Sequence, residues 1–278
     1  MKIGVSSYSF RRYRNASGAT LFDVCRKARE IGFDAIEFIE LDGDDPIAQA
    51  RELRTLCAEL GLEISAYTVG ADLMAKDAEA AVEALCRCVD VTEALGAPLM
   101  RHDVCYWLPE GVSWEAAARH MAPLIRRVTA YAKDRGIRTC TENHGFIFQD
   151  SLRVKALIDA VGDDNYRWLV DLGNFLCVDE SPLEAVKTAA PYAVHVHAKD
   201  FIFRPADMAT PEGFITTRGG NFIRGTILGH GIVPLDECVK TLRDAGYDGT
   251  LSLEFEGLED NILALEMGYR TLVRLTQA

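Results

Sequence analysis

The chain of 278 residues repeats one pattern from end to end: a short apolar run, a polar loop, and an amphipathic segment of helical period. Several amphipathic segments stop at a glycine just before the next apolar run, as at Gly61, Gly96 and Gly246. Glycine in that position is typical of a helix C-cap. Strict alternation of strands and helices indicates a parallel sheet, because parallel neighbours need a crossover connection. The pattern therefore predicts an α/β fold.

Eight strand–helix units can be counted. The predicted strands are residues 2–8, 34–39, 62–67, 98–103, 137–142, 166–171, 192–200 and 250–254, and an arginine-rich loop follows the first of them. Eight units in one domain-sized chain predict closure into a (β/α)8 TIM barrel that spans residues 1–278 as a single domain. An open, doubly wound sheet is the alternative. It would carry a Gly-rich phosphate loop after the first strand, and the sequence has none there.

One connection is longer than the others. It follows the seventh strand, runs from about residue 200 to 233, and is rich in Gly, Thr, Phe and Arg. Long connections without regular structure are usually functional in compact domains. We expect a lid or a substrate-shaping loop on the catalytic face, although an oligomer contact would explain the segment equally well.

Composition limits the partners of the chain. The net charge of −12 argues against nucleic-acid binding, which needs a basic face. No apolar run reaches the length of a membrane span and no signal-peptide pattern opens the sequence, so we expect no membrane partner and a cytoplasmic location. The eight cysteines form no CxxC pair and are expected to be reduced thiols.

The seventh strand carries polar side chains on one face. Because side chains alternate along a strand, His195, His197 and Lys199 point one way, and the valines between them point the other way. The inside of a barrel near its C-terminal mouth is a polar environment that holds the active sites of this fold. His197 lies nearer the mouth than His195. We expect His195 to orient a ligand group or to be a core histidine.

Three further strands end in a carboxylate, at Glu142, Asp171 and Glu254. Together with His197 they would converge at the barrel mouth. Three clustered carboxylates without a cation would repel one another and raise their own pKa values. Oxygen ligands with one nitrogen favour a hard or borderline divalent ion. The sequence therefore predicts a metal site, with Mn²⁺ as the first expectation and Mg²⁺, Co²⁺ or Zn²⁺ as alternatives.

Four segments, in this order along the chain, carry a resemblance to a known family: Thr141–His144, Val170–Asn174, His195–Asp200 and Leu251–Glu254. They resemble the xylose isomerase-like sugar phosphate isomerase/epimerase superfamily of TIM barrels. The resemblance implies that Glu142, Asp171, His197 and Glu254 are the metal ligands and that Glu142 and Glu254 are the catalytic acid/base pair. It also implies an isomerase or epimerase of a keto-sugar or polyol that works by proton transfer through a metal-bound enediolate. A metal-dependent dehydratase of the inosose or 3-dehydroshikimate type is the alternative.

Other residues are candidates for contacts with a small carbohydrate substrate. They are His102, expected to point inward on the fourth strand, and Trp107, His144, Lys199 and Arg204. The family's epimerases place an arginine six residues after the ligand histidine, where this chain has Phe203, with Arg204 next. The resemblance also leaves room for a homo-oligomer, a dimer or a tetramer. An abasic-site endonuclease and a non-catalytic, metal-stabilised barrel subunit are the remaining hypotheses, and the acidic charge speaks against the first.

Overall fold

The computed structural model describes residues 1–209 and 212–277. The strands in this part of the chain are β1 Lys2–Ser6, β2 Ala35–Phe38, β3 Glu63–Val69, β4 Leu99–His102, β5 Arg138–Glu142, β6 Tyr166–Asp171, β7 Ala193–Ala198, β8 Asp200–Arg204, β9 Ile215–Thr216, β10 Phe222–Thr226 and β11 Thr250–Leu253. The α-helices are α1 Arg11–Ser17, α2 Leu21–Ile31, α3 Pro46–Leu60, α4 Ala78–Leu95, α5 Trp114–Lys133, α6 Ser151–Val161, α7 Pro182–Ala189, α8 Leu235–Asp244 and α9 Asn261–Gln277.

Eight parallel strands close into a barrel in the order β1-β11-β7-β6-β5-β4-β3-β2, which confirms the predicted TIM barrel. Local sequence signals set the helix ends. At the start of α2, Thr20 and Asp23 form a reciprocal capping box. Left-handed glycines cap α3 at Gly61 and α4 at Gly96. The arginine-rich segment after β1, expected to be a loop, instead forms the helix α1. None of the described helices is long and apolar enough to cross a membrane.

The apolar core has two parts of unequal size. The larger part lies between the barrel and the helices, and a small cluster of Ala66, Leu99, Cys140 and Leu169 comes from four neighbouring strands of the barrel. Because side chains alternate along a strand, the residues two positions after Leu99, Cys140 and Leu169 also point into the barrel. Those residues are Arg101, Glu142 and Asp171. The barrel interior is therefore apolar at the level of the small cluster and charged toward its C-terminal mouth.

The long connection after β7 differs from the expectation. Instead of lacking regular structure, it contains a three-stranded antiparallel sheet in the order β8-β10-β9. Asp200 holds its two ends together, because one carboxylate oxygen accepts hydrogen bonds from the backbone N–H groups of Gly229 and Gly231 and the other accepts from that of Val233. A Cβ atom at Gly231 would lie 2.1 Å from this carboxylate, so the close approach requires glycine.

Candidate metal centre

The structure brings the four predicted ligands together at the C-terminal mouth. Glu142 and Asp171 end β5 and β6, His197 is the next-to-last residue of β7, and Glu254 directly follows β11. His197 Nδ1 lies 3.5 Å from Glu142 Oε1, 3.7 Å from Asp171 Oδ2 and 3.5 Å from Glu254 Oε2. The candidate ligand atoms all lie within 4.8 Å of one another. Strand ends that neighbour one another in the barrel therefore converge on one point.

Two atoms of this cluster show that the donor set suits a cation. Asp171 Oδ1 accepts hydrogen bonds from the backbone N–H groups of Gly173 and Asn174, both at 2.8 Å. Asp171 Oδ2 and His197 Nδ1 are buried and have no hydrogen-bond partner among the described residues. Buried polar atoms without partners are costly. Three carboxylates and one imidazole nitrogen, with two such atoms facing each other, fit a divalent metal ion.

The electrostatic field at this point favours positive charge. Burial alone would lower the pKa of His197, but the carboxylates of Glu37, Glu254 and Glu142 raise it well above its usual value. A proton on the ring is one way to compensate this field. A divalent cation bound to the ring nitrogen is another, and it would also satisfy the carboxylate oxygens.

Glu142 belongs to a buried ion network on the β4 side of the site. Arg101 lies 2.5 Å from Glu142 Oε2 and 2.9 Å from Asp103 Oδ1, and it donates a hydrogen bond to the backbone oxygen of Val69. Asn174 donates to the other oxygen of Glu142. Burial would raise the pKa of Glu142, but Arg101 and His197 lower it below its usual value. Glu142 is thus a carboxylate at neutral pH.

Glu254 has a different cation. Lys199 Nζ lies 2.5 Å from Glu254 Oε2, 3.3 Å from Asp171 Oδ2 and 3.6 Å from Glu256 Oε1. Burial would raise the pKa of Glu254, but Lys199 and His197 lower it well below its usual value. Burial would lower the pKa of Lys199, but the surrounding carboxylates, Asp171 and Glu254 first, raise it well above its usual value. Lys199 therefore stays an ammonium ion and balances part of the negative charge.

A cavity of about 260 Å³ opens over these groups. Its wall includes Glu142, His197, Lys199 and Glu254, together with Tyr8, Arg101, Asp103, Tyr106, His144 and Glu256. Asp103 accepts hydrogen bonds from Tyr106 Oη at 2.6 Å and pairs with His144 Nδ1 at 3.0 Å. Desolvation alone would lower the pKa of His144, whose side chain is still 43% exposed, but its contact with Asp103 raises it. The volume is below the roughly 300–1,000 Å³ of drug-sized pockets, so the cavity suits a small polar ligand.

The predicted substrate contacts divide into two groups. His144 and Lys199 line the cavity, whereas His102, Trp107 and Arg204 do not. The expected inward orientation of His102 is corrected: Arg101 points inward, and His102 is fully buried behind it, with its ring 5.7 Å from that of Tyr166 on β6. Trp107 is 52% exposed, and the side chain of Arg204 lies over the ring of Phe214 instead of the cavity. The connection expected to act as a lid also contributes no described residue to the cavity wall.

Sequence reasoning missed several polar residues of the site, among them Glu37, Arg101, Asp103 and Tyr106. Glu37 is the one charged residue of the apolar strand β2, and that isolation was a usable signal. Its carboxylate is fully buried next to His195 and His197. Arg101 could have been found only by knowing which face of β4 points inward.

Comparison with known proteins identifies the family of the chain. A family model described as a xylose isomerase-like TIM barrel matches residues 25–275. A curated relative, 3-oxo-isoapionate decarboxylase of Pectobacterium atrosepticum, is 24% identical over 249 residues, which cover 87% of this chain and 81% of the relative.

Solved structures are similar along nearly the whole chain. An L-ribulose 3-epimerase has a TM-score of 0.78 at 20% identity and covers 99% of this chain and 94% of its own. The probable 3-DHS dehydratase of Bacillus anthracis has a TM-score of 0.75 at 20% identity, with 98% and 99% covered. An IOLI protein with a bound zinc atom has a TM-score of 0.79 at 15% identity, with 100% and 98% covered. With the family model matching most of its length, the chain belongs to the xylose isomerase-like TIM barrel family.

Proposed function

We propose that the protein is a divalent-metal-dependent isomerase or epimerase of a small keto-sugar or polyol. The observation that carries the proposal is the cluster of Glu142, Asp171, His197 and Glu254, whose ligand atoms lie within 4.8 Å of one another under a cavity of about 260 Å³. Metal, acid/base groups and substrate space would then share one site. The names of an epimerase and of a zinc-bearing protein among the structural neighbours support this choice.

Those four residues would hold the metal, with Mn²⁺ as the first candidate and Mg²⁺, Co²⁺ and Zn²⁺ as alternatives. A bound divalent ion would stabilise the negative charge that develops on substrate oxygens when a neighbouring carbon loses its proton. A carboxylate without a metal is too weak a base to remove such a proton, so the proposed reaction needs the metal ion beside it.

The chain's own residues supply the proton transfer. Glu142 and Glu254 each have a carboxylate oxygen 3.5 Å from His197 Nδ1. A neighbouring cation lowers the pKa of each, so both are ionised. One would remove a proton from carbon and the other would return one. Return to the opposite face of the same carbon gives epimerisation, and return to the neighbouring carbon gives isomerisation. Lys199 and His144 on the cavity wall would hold substrate oxygens.

A lyase, in particular a dehydratase, is the second candidate. The pair of His144 and Asp103 favours it, because Asp103 raises the pKa of His144 and so maintains a proton donor at the cavity wall. A donor in that place could protonate a departing hydroxyl group. The relatives named as a decarboxylase and a probable dehydratase point in the same direction.

Metal content followed by a substrate panel tests the proposal. We expect near-stoichiometric Mn, Co, Mg or Zn in the wild-type protein and its loss in His197→Ala. The metal-loaded enzyme is then offered L-ribulose and other ketoses, inososes, 3-dehydroshikimate and 3-oxo-isoapionate. Proton NMR in D₂O detects epimerisation or isomerisation with solvent exchange, a new absorbance detects dehydration to a conjugated carbonyl, and trapped CO₂ detects decarboxylation.

The outcomes separate the two candidates. Exchange and rearrangement of a ketose without a new chromophore supports the isomerase or epimerase. Water loss or CO₂ release with no rearrangement supports the lyase. A wild-type protein that binds no divalent ion, even after saturation and dialysis, overturns both.

A further inference from the structure

We propose that Glu37 is a positioning residue for the metal ligand His197, and that His195 in turn holds Glu37. Glu37 would fix the hydrogen of His197 on Nε2 and so present the lone pair of Nδ1 to the metal. This inference rests on the metal site of the proposed function and adds which nitrogen binds and what sets the affinity.

Glu37 bridges the two histidines across the barrel interior, from a strand that β1 and β11 separate from β7. It lies on β2, and its carboxylate is completely buried. Glu37 Oε2 lies 2.5 Å from His195 Nε2, and Glu37 Oε1 lies 2.7 Å from His197 Nε2. Each carboxylate oxygen is therefore directed to one imidazole, and His197 is placed between Glu37 on one side and the ligand cluster on the other.

The chemistry of a carboxylate fixes the hydrogens. An ionised carboxylate only accepts hydrogen bonds, so each Nε2 that faces it must carry the hydrogen. Glu37 lies between two imidazoles that can each donate to it, and the ionised carboxylate is the form that accepts from both. A neutral imidazole with its hydrogen on Nε2 has its lone pair on Nδ1. That lone pair faces the oxygens of Glu142, Asp171 and Glu254.

The two nitrogens of the His197 ring differ in their distances to the nearest carboxylate oxygens. The three carboxylate oxygens near Nδ1 are 3.5–3.7 Å away, which is too long for good hydrogen bonds but leaves room for an ion between them. The oxygen of Glu37 is 2.7 Å from Nε2, although the contact is not yet aligned as a hydrogen bond.

The network also explains why a buried carboxylate is tolerated at this depth. Among the described residues, the ion-pair partners of Glu37 are His195 and His197, with no Lys or Arg. A buried carboxylate without compensation is costly. The hydrogen bond with His195 and the close contact with the His197 ring, which a metal on Nδ1 would polarise, supply that compensation. In other metal sites, loss of such a carboxylate–histidine contact weakens metal binding by about 10–100-fold.

Co²⁺ titration of the metal-free protein tests the proposal, with calorimetry for affinity and the visible ligand-field spectrum for geometry. We expect Glu37→Gln to raise the Kd for Co²⁺ by about 10–100-fold and to change the spectrum. His195→Gln should have a smaller effect in the same direction. Ser252→Ala is the matched control, because Ser252 is a buried polar residue beside His197 in the register of β11 and β7, and the substitution should leave both readouts unchanged.

A second measurement needs no variant, so the proposal stays testable if Glu37→Gln does not fold. In Zn²⁺-loaded wild-type protein, ¹⁵N–¹H NMR of the imidazoles should show His197 bound through Nδ1, with a slowly exchanging hydrogen on Nε2. Zinc on Nε2, or unchanged Co²⁺ affinity and spectrum in Glu37→Gln, overturns the role of Glu37. Wild-type protein without any Co²⁺ binding would instead overturn the metal site itself, together with everything that depends on it.

Discussion

Two carboxylates face each other across His197, each with its own cation, and their surroundings differ. The Arg101 cluster consists of Arg101, Asp103 and Glu142, and all three side chains are less than one-tenth exposed. The Lys199 cluster consists of Lys199, Glu254 and Glu256, and its exposure rises outward to 29% at Glu256. Glu142 is enclosed by protein, whereas Glu254 lies next to a partly exposed carboxylate.

The type of cation strengthens this difference. The planar guanidinium of Arg101 contacts Glu142, Asp103 and the backbone oxygen of Val69 at the same time. Lysine, in contrast, is a single point charge on a flexible stem. Under the proposed function, Glu142 would therefore be the more rigidly held carboxylate of the pair, and Glu254 would exchange protons with water more readily.

Removing the charge of Glu142 or of Glu254 should have the largest effect on catalytic activity. We expect Glu142→Gln and Glu254→Gln each to lower kcat by about 10²–10⁴-fold, the usual contribution of a positioned acid/base group. If the two act on opposite faces of the substrate carbon, each variant still exchanges the proton on the face served by the other carboxylate. Deuterium incorporation from D₂O into the two epimers, measured by NMR at saturating metal, would show which face each residue serves.

Glu256→Gln is the control for that comparison. Glu256 lines the same cavity and lies near Lys199, but it is not one of the four clustered candidate ligands. We expect its kcat to fall far less than that of Glu254→Gln. Equal losses at positions 254 and 256 would show that the acid/base role has been given to the wrong carboxylate.

Replacing the two cations with methionine should affect stability unequally. Arg101→Met leaves Asp103 and Glu142 buried without their partner, and breaking a buried pair in this way costs about 3–5 kcal/mol of unfolding free energy. Lys199→Met should cost less, because Glu254 and Glu256 are partly exposed and the buried Asp171 keeps its two backbone hydrogen bonds. Urea unfolding in EDTA measures both losses.

Added Mn²⁺ sharpens the same experiment. The metal would take over the neutralisation of Asp171 and Glu254, which Lys199 contacts, so it should restore much of the stability of Lys199→Met. It should restore less in Arg101→Met, because Asp103 lies outside the ligand set. Equal losses in EDTA and equal recovery with Mn²⁺ would contradict the distinction between the two clusters.

The Lys199 cluster was easier to predict from sequence than the Arg101 cluster. Glu254 and Lys199 lie at strand ends, next to a histidine whose phase is fixed by the alternating valines. On β4 both faces are buried, since one packs on helices and the other lies inside the barrel. Hydrophobicity therefore cannot tell whether Arg101 or His102 points inward, and a shift of one residue exchanges the two faces.

Long-range pairing limited the remaining predictions. Glu37 and His195 are 158 positions apart, so only the closed barrel brings them into contact. The sheet after β7 was missed for a different reason, because its strands pair with each other and not with the barrel, so it does not belong to the eight repeating units. The eight strand–helix units and the candidate ligands at the strand ends can be predicted because they depend on local periodicity in the sequence. The hydrogen-bond partners that orient those ligands depend on closure of the barrel, which the sequence pattern does not show.

The smallest effect is expected behind the Arg101 cluster, where β4 carries the fully buried His102 on its outer face. Burial lowers the pKa of His102 to about 4. A histidine with a lowered pKa in the folded state binds its proton more readily in the unfolded state. Its contribution to the unfolding free energy is therefore complete above the unfolded pKa of about 6.5 and is lost as the pH falls toward 4. At about 1.4 kcal/mol per pH unit, His102 should cost the wild-type protein roughly 2 kcal/mol between pH 7 and pH 5.

His102→Asn removes the titration and keeps a side-chain N–H for the backbone oxygen of Asp103, which accepts from His102 Nδ1 at 2.9 Å. The carboxylates of the site titrate in both proteins, so the difference between their unfolding free energies isolates His102. Urea unfolding at pH 7 and pH 5 should therefore show a smaller loss in the variant by roughly 2 kcal/mol. Parallel pH profiles would mean that His102 is solvated or paired when protonated, and that the Arg101 cluster is less tightly enclosed than its contacts indicate.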